Sequence, residues 1–196
     1  MYTKSTTEYL ASPQEVTWHG YANSEENLNL YAQLSRLKTT VKVANFANSG
    51  FDLLANNYKY FVLDQQTNSV LFYVKVEHTR RSFNGNPVET ASQLELWRDR
   101  SVNSTKTMPQ RFFFDVLLYS TQLVLTDGKH TDSGRSFWEN NLAEAFTNPD
   151  KYVVYSVDLN QKSLSEIDQV TFRNTVRDLY GTDDKYQAYR LAVGLR

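Results

Sequence analysis

The side chains of this chain that could do chemistry are limited first by what is missing. There is no cysteine among the 196 residues, which rules out thiolate nucleophiles, disulfides and cysteine-ligated zinc or iron-sulfur centres. His19, His78 and His130 stand far apart in no HExxH or other compact spacing, so no metal site is expected. The strongest local constellation is Gln122 to Phe146. There the apolar run Leu123-Val124-Leu125 breaks at Thr126-Asp127-Gly128 and an amphipathic segment resumes around Trp138. A strand that ends where a helix begins often frames a ligand crevice, because the first turn of a helix leaves backbone N-H groups unpaired. Asp127 at that junction either caps the loop or contacts a ligand. Gly128 and Gly134 read as turn residues, since their spacing fits neither a Walker loop nor a dinucleotide fingerprint. His78-Thr79-Arg80-Arg81 is a local basic cluster, read either as a contact for phosphate or a partner or, more commonly for such a cluster, as a charged hairpin end.

The elements that must position these residues belong to a chain of ordinary composition. Its length suits one domain with its own hydrophobic core, so residues 1–196 are expected to form a single domain with 1–20 as an irregular arm. A net charge of -1 gives no global reason to bind nucleic acid or an anionic membrane. No stretch approaches the roughly 18 apolar residues of a membrane span, and the first residues lack the apolar core of a secretory signal. The expectation is a soluble cytoplasmic protein. Aromatic residues make up 14% of the chain against only 7 Gly and 4 Pro, which suits a folded protein rather than a disordered one.

Ser24, followed by Glu25 and Glu26, can cap a helix whose stripe is Leu28, Leu30, Tyr31, Leu34 and Leu37, ending near Lys38. Val41 and Val43 suggest a short strand, and Asn48-Ser49-Gly50 a turn. Tyr58 to Asp64 and Val70 to His78, rich in β-branched and aromatic residues, form an antiparallel hairpin across Gln65 to Ser69. After turn chemistry at Phe83 to Pro87, Val88 to Arg98 reads as a strand. Regular alternation there puts Ser92, Leu94, Leu96 and Arg98 on one face and Gln93, Glu95 and Trp97 on the other. Pro109 suits the start of a helix over Gln110 to Thr121, and Leu123 to Leu125 is a strand. Ser133 can cap a helix with Phe137, Trp138, Leu142, Ala145 and Phe146 inward, closed by Asn148-Pro149. Lys151 to Leu159 reads as a strand, Ser165 to Tyr180 as a helix carrying Ile167, Val170, Val176 and Leu179, and Tyr186 to Leu195 as a last strand. This order predicts an α+β fold with a single mixed, largely antiparallel central sheet flanked by helices.

The same order, together with the segment Thr126-Asp127-Gly128-Lys129-His130-Thr131-Asp132-Ser133-Gly134-Arg135-Ser136-Phe137-Trp138, resembles the GNAT-like N-acetyltransferase fold, particularly divergent acyltransferase-like proteins of bacteriophages. The resemblance covers roughly Tyr58 to Leu195. It implies transfer of an acyl group from acetyl-CoA or another acyl-CoA to an amine, in the host cytoplasm if phage-encoded. It makes Gln93 to Arg100 the family's central fourth strand and Leu123 to Asp127 its fifth. It places the cofactor diphosphate at the loop Ser101 to Gln110 and the N-H groups near Arg111 and Phe112, helped by Lys106 and Arg111. Glu95, then Glu77, would be the base, Tyr119 the acid, and Asp127 would line the site. The family's loop is glycine-rich, because small residues let N-H groups approach phosphates. Loop 101–110 contains no glycine. A second reading follows from that departure: a non-catalytic interaction or structural protein, with a protein partner, that keeps the scaffold without the cofactor.

Overall fold

The computed structural model describes residues 25–38, 40–46, 51–99, 101–126, 132–179 and 188–196. Helix α1 (Glu25–Leu34) precedes five strands, β1 (Val41–Phe46), β2 (Phe51–Asn56), β3 (Lys59–Asp64), β4 (Ser69–Phe83) and β5 (Asn86–Arg98). A 3-10 turn (Asn103–Thr105) leads into a continuous helical run made of α2 (Met108–Arg111), a π-helical segment (Phe112–Leu117) and α3 (Leu118–Ser120). Then come β6 (Leu123–Leu125), α4 (Asp132–Thr147), β7 (Tyr152–Asp158), β8 (Ser163–Glu166), α5 (Gln169–Leu179) and β9 (Tyr189–Leu195). The strands form one sheet in the order β1-β2-β3-β4-β5-β6-β9-β7-β8. Every neighbouring pair is antiparallel except β5 with β6. The fold is therefore α+β, a single mixed and mostly antiparallel open sheet flanked by helices.

The helices cover the sheet for reasons visible in their residues. On one face, Leu34 of α1, with Leu30, Tyr31 and Leu37 beside it, packs on Phe61, Val70, Tyr73 and Trp97. On the other, the run from Met108 to Ser120 connects β5 to its parallel neighbour β6. Three consecutive phenylalanines cannot share one face of a regular α-helix. The segment is π-helical, marked by the Leu118 N-H donating to Phe113 O, and all three are buried because each meets a different neighbour. Phe112 meets Tyr60 and Phe72 of the sheet at ring distances of 4.9 and 5.9 Å. Phe113 meets Trp138 of α4 edge-on at 5.4 Å, and Phe114 meets Tyr152 at 4.9 Å. Burying a phenylalanine is worth about 1.5–3 kcal/mol, whereas a pair such as Arg111-Asp115 adds a few tenths. Aromatic burial, not helix propensity, holds this connection in place.

Several expectations need correcting. β4 runs on to Phe83, so the His78 to Arg81 cluster lies in mid-strand, paired with Val88 to Ala91, rather than at a hairpin end. β5 carries a bulge at Leu94: Glu95 pairs with Lys75 but Gln93 with Val76. One extra residue reverses the alternation, so Ser92 shares its face with Trp97 instead of Leu96. The segment expected to start a helix at Ser165 first forms β8 against β7, and α5 begins only at Gln169, with Val170 67% exposed rather than inward. β2 was not anticipated. α4 starts at Asp132, which puts Ser133 and Gly134 in its first turn. The arm over 1–20 and the Asn48-Ser49-Gly50 turn lie outside the described residues.

Candidate functional site

The parallel β5–β6 pair is short. Its register covers Thr90 with Leu123, Ala91 with Val124 and Ser92 with Leu125. Beyond Leu125 the chain stays with β9: Thr126 N-H donates to Leu191 O at 2.8 Å, and Leu191 N-H donates to Thr126 Oγ1 at 3.0 Å. β5 meanwhile continues to Arg98, paired only with β4. The two parallel strands thus part company at Ser92, and the Leu94 bulge sits just past the point of separation. Bulges re-aim a strand and end pairing, and they recur next to active sites. Among the described residues no strand pairs with the 93–98 edge of β5.

At the end of β5 the chain turns into a tightly bonded loop. Asp99 is fully buried, and its N-H donates to Leu71 O at 2.8 Å. Its Oδ1 accepts from the N-H and Oγ of Ser101 at 2.8 and 2.6 Å. Thr105, also fully buried, reaches the Asp99 carbonyl at 2.5 Å and the Val102 carbonyl at 2.8 Å. A hydroxyl has one proton, so it serves one of these carbonyls at a time, while Arg98 Nη1 donates to its oxygen at 3.3 Å. Asp99 Oδ2 is buried with no hydrogen-bond partner. No residue from Ser101 to Thr107 has a positive φ, so this loop does not depend on glycine. The sequence here carries four cations, Arg98, Arg100, Lys106 and Arg111, against the single anion Asp99. That is a local surplus of three positive charges in a chain whose net charge is -1.

The residues expected from sequence fall at different places around this loop. Lys106 is exposed on it, its N-H donating to Asn103 O at 3.1 Å. The Arg111 guanidinium lies 3.6 Å from the Asp115 carboxylate. The Arg111 N-H is spent on Thr107 O at 3.0 Å, and the Phe112 N-H is shared between Met108 O and Pro109 O. Phe112 is itself core, 1% exposed. Neither N-H group is therefore left for an anion, and Pro109 has none to offer.

Glu95 lies in β5 opposite Lys75, one residue past the bulge and within the stretch that β6 leaves. Exposed Glu77 faces Ser92 in the ladder. Tyr119, 60% exposed, is at the opposite end of the helical run. At 1.5 Å per residue the run from Met108 separates them by roughly 16 Å, so Tyr119 and the loop are not brought together. Its ring instead lies 6.0 Å from the Lys151 ammonium, which also sits 5.0 Å over Tyr152. Hydrogen bonding to Tyr152 raises the pKa of Lys151 above the usual lysine value. Asp127 and His130 lie outside the described residues. His78 packs its ring 5.0 Å from Tyr58, and burial pushes its pKa down against a smaller opposing pull from Glu89. Trp138 is core, 1% exposed.

Asp99, Ser101, Thr105 and Arg98 were not anticipated as a unit. The signal was present: an aspartate at a strand end two residues before a serine is the sequence of an Asx-type turn.

A separate cleft of about 570 Å³ opens between α4, β7 and the start of α5, floored by Phe146, Tyr152 and Val154. Its polar rim is satisfied within the chain. Arg196 donates to Pro149 O at 2.9 Å and pairs with Glu166 at 2.5 Å, while Asp168 accepts from Thr171 N-H at 2.6 Å. Among the described residues no cluster of three or more histidine or acidic side chains could hold a metal ion, and no helix is long and apolar enough to cross a membrane. No protein-family model matches the chain, and no curated protein matches its sequence.

Proposed function

We propose that this protein is a GNAT-like acyltransferase that moves an acyl group from acetyl-CoA or another acyl-CoA to an amine acceptor. The observation that carries the reading is the parting of β5 and β6 after Ser92 and Leu125, with a bulge in β5 and a basic loop at the open end. An extended ligand entering there would run along the 93–98 stretch of β5 that β6 leaves, and its diphosphate would reach Lys106 and the first-turn N-H groups of Met108 and Gln110. Glu95, directly after the bulge, is the candidate base, since acyl transfer to an amine needs a proton acceptor beside the nucleophile. Tyr119 is too far along the helix to serve as the partner acid in this arrangement. Asp127, two residues beyond β6 in the sequence, remains the candidate to line the site.

Calorimetric titration of the full chain with CoA and acetyl-CoA tests the reading. Micromolar to sub-millimolar binding, with Glu95→Gln lowering turnover and leaving affinity near wild type, is the expected result. No heat at millimolar ligand removes it. One observation favours a second reading, a non-catalytic phage interaction or structural protein on the same scaffold. The N-H groups of Arg111 and Phe112 are consumed inside the helix, and Pro109 supplies none. Stable recovery of a protein partner by a chain that ignores CoA would establish that alternative.

A further inference from the structure

We propose that the cleft between α4, β7 and the start of α5 binds a small organic amine, with its apolar body on the aromatic floor and its ammonium at the carboxylates of Glu166 and Asp168. The proposal does not rest on the acyltransferase reading, because the two sites lie apart. Across the β6-β9-β7 ladder, Leu125, Ala192 and Tyr155 share the rung beside the end of β6, where β5 parts from it. The cleft is lined by Tyr152 and Val153, which pair with Leu195 and Gly194 beside the start of β6. It opens at the opposite end of these strands. Its volume of about 570 Å³ falls within the range of small-molecule sites, about 300–1,000 Å³. Phe146, Tyr152, Val154 and Ile167 make its floor and are packed into the main core. The Phe146 ring rests 5.3 Å from that of Phe172 in α5, so the wall joining the two helices is aromatic. Apolar area covered on such a floor is the main source of affinity.

The lip decides the sign of the ligand. Two carboxylates, Glu166 and Asp168, line the cleft against one cation, Arg196. That cation is already engaged: its Nε donates to Pro149 O at 2.9 Å, and its Nη2 pairs with Glu166 Oε1. A carboxylate has two oxygens, so Glu166 can serve Arg196 and a second cation together. The first turn of α5 would otherwise attract an anion, but Asp168 closes it. Asp168 Oδ1 accepts from Thr171 N-H at 2.6 Å, and its carbonyl accepts from Phe172 N-H at 2.9 Å. The same bond to Thr171 holds the Asp168 carboxyl below its usual range and keeps it charged at neutral pH. Both carboxylates are thus fixed before a ligand arrives, which spares the cost of ordering them. The aromatic floor favours the same sign, since a ring face attracts a cation. Tyr152 already does so on this chain: the ammonium of Lys151, which is not part of the cleft lining, lies 5.0 Å from its centroid. An anion of the same shape would meet two carboxylates and an occupied guanidinium.

The test titrates the full-length chain with phenethylamine, phenethyl alcohol and phenylpropionate, three probes that share a phenyl body and differ in charge, and follows the backbone amides by NMR. Phenethylamine should shift the amides of Ala145, Val154, Ile167 and Arg196. The alcohol should bind the same place about threefold to fivefold more weakly, the scale of an exposed ion pair, and the carboxylate more weakly still. Glu166→Gln/Asp168→Asn keeps both side-chain shapes and leaves α5 capped, since asparagine caps as well as aspartate. In that variant the amine should fall to within about twofold of the alcohol, with the alcohol unchanged. Should the double variant not fold, Glu166→Gln alone, at an exposed position, should weaken the amine about twofold and leave the alcohol as it was. Shifts that map elsewhere, no shifts at the solubility limit of any probe, equal affinity for amine and carboxylate, or an amine preference that survives the substitutions would each overturn the proposal. Binding or non-binding of CoA bears on the acyltransferase reading alone.

Discussion

Replacing Asn27 with alanine should destabilise the protein by about 2–4 kcal/mol. Asn27 lies in α1 and is fully buried. Its Nδ2 donates to Val70 O at 2.9 Å, and its Oδ1 accepts from Val70 N-H at 2.7 Å. Val70 needs this help because β5 pairs with β4 only as far as Phe72, opposite Arg98, and the β3–β4 ladder skips a residue at Leu71. The side-chain amide thus stands in for a strand that stops short. Alanine would leave a buried N-H and a buried C=O without partners, each costing about 1–3 kcal/mol, partly relieved where water enters the vacated space. With a urea m-value of about 2 kcal/mol/M for a chain of this size, the unfolding midpoint should fall by about 1–2 M at unchanged slope. Asn27→Asp keeps the acceptor but sets a carboxylate oxygen against the Val70 carbonyl, and should cost at least as much. A midpoint shift below about 0.3 M for Asn27→Ala would show that the amide does not substitute for the missing ladder. The consequence reaches the loop, since the next carbonyl, Leu71 O, is the one that receives the Asp99 N-H.

Gly194→Ala should cost about 1–3 kcal/mol by overpacking. The new methyl would stand 3.0 Å from both the Gln122 carbonyl and a Leu123 methyl; thermal unfolding reads the loss, and a variant as stable as wild type would mean that the β6–β9 contact yields freely. The acid limb of stability should depend on Asp64 and Asp168. The carboxyl of Asp64 is held below the usual range by the Thr67 hydroxyl, and that of Asp168 by the Thr171 N-H. For a carboxyl whose folded pKa is depressed, the contribution is present above the unfolded value, about 3.9, and is lost as pH falls through the lower folded value. The double variant Asp64→Ala/Asp168→Ala should therefore melt below wild type at pH 6, the gap closing as the pH falls below the unfolded value and through the lower folded one. A gap that widens in acid would contradict the assignment.

How much of this was legible in the sequence depends on whether local pattern and tertiary contact agree. The β3–β4 hairpin could be read because its apolar and aromatic residues are dense and its polar loop is of hairpin length. The α4 stripe of Trp138, Leu142 and Ala145 could be read because its period is that of a helix with one buried face. β8 could not, because Ser163-Leu164-Ser165-Glu166 is short and polar and becomes a strand only by pairing with Tyr155 to Asp158. The bulge at Leu94 was hidden for a related reason. Regular alternation through Ser92, Leu94 and Leu96 looks like an unbroken strand, and only the register against β4 shows that one residue is extra.

The candidate site residues could be named from the sequence, but not where they would stand. Glu95 falls in β5 just past the bulge and Lys106 on the loop that follows the strand. Tyr119 stands apart from both, because the helical run from Met108 to Ser120 carries it to the opposite end of that run. The absence of glycine in loop 101–110 argued against phosphate binding only on the premise that such a loop must use left-handed backbone. Its residues hold negative φ throughout, and its shape is set by Asp99 and Thr105, two side chains whose partners are backbone groups two to six residues away. Hydrogen bonds of that range leave little trace in periodicity. Composition can therefore count the glycines a loop lacks without detecting the side-chain bonds that shape it, and for this chain the measurement that decides the acyltransferase reading is its affinity for CoA.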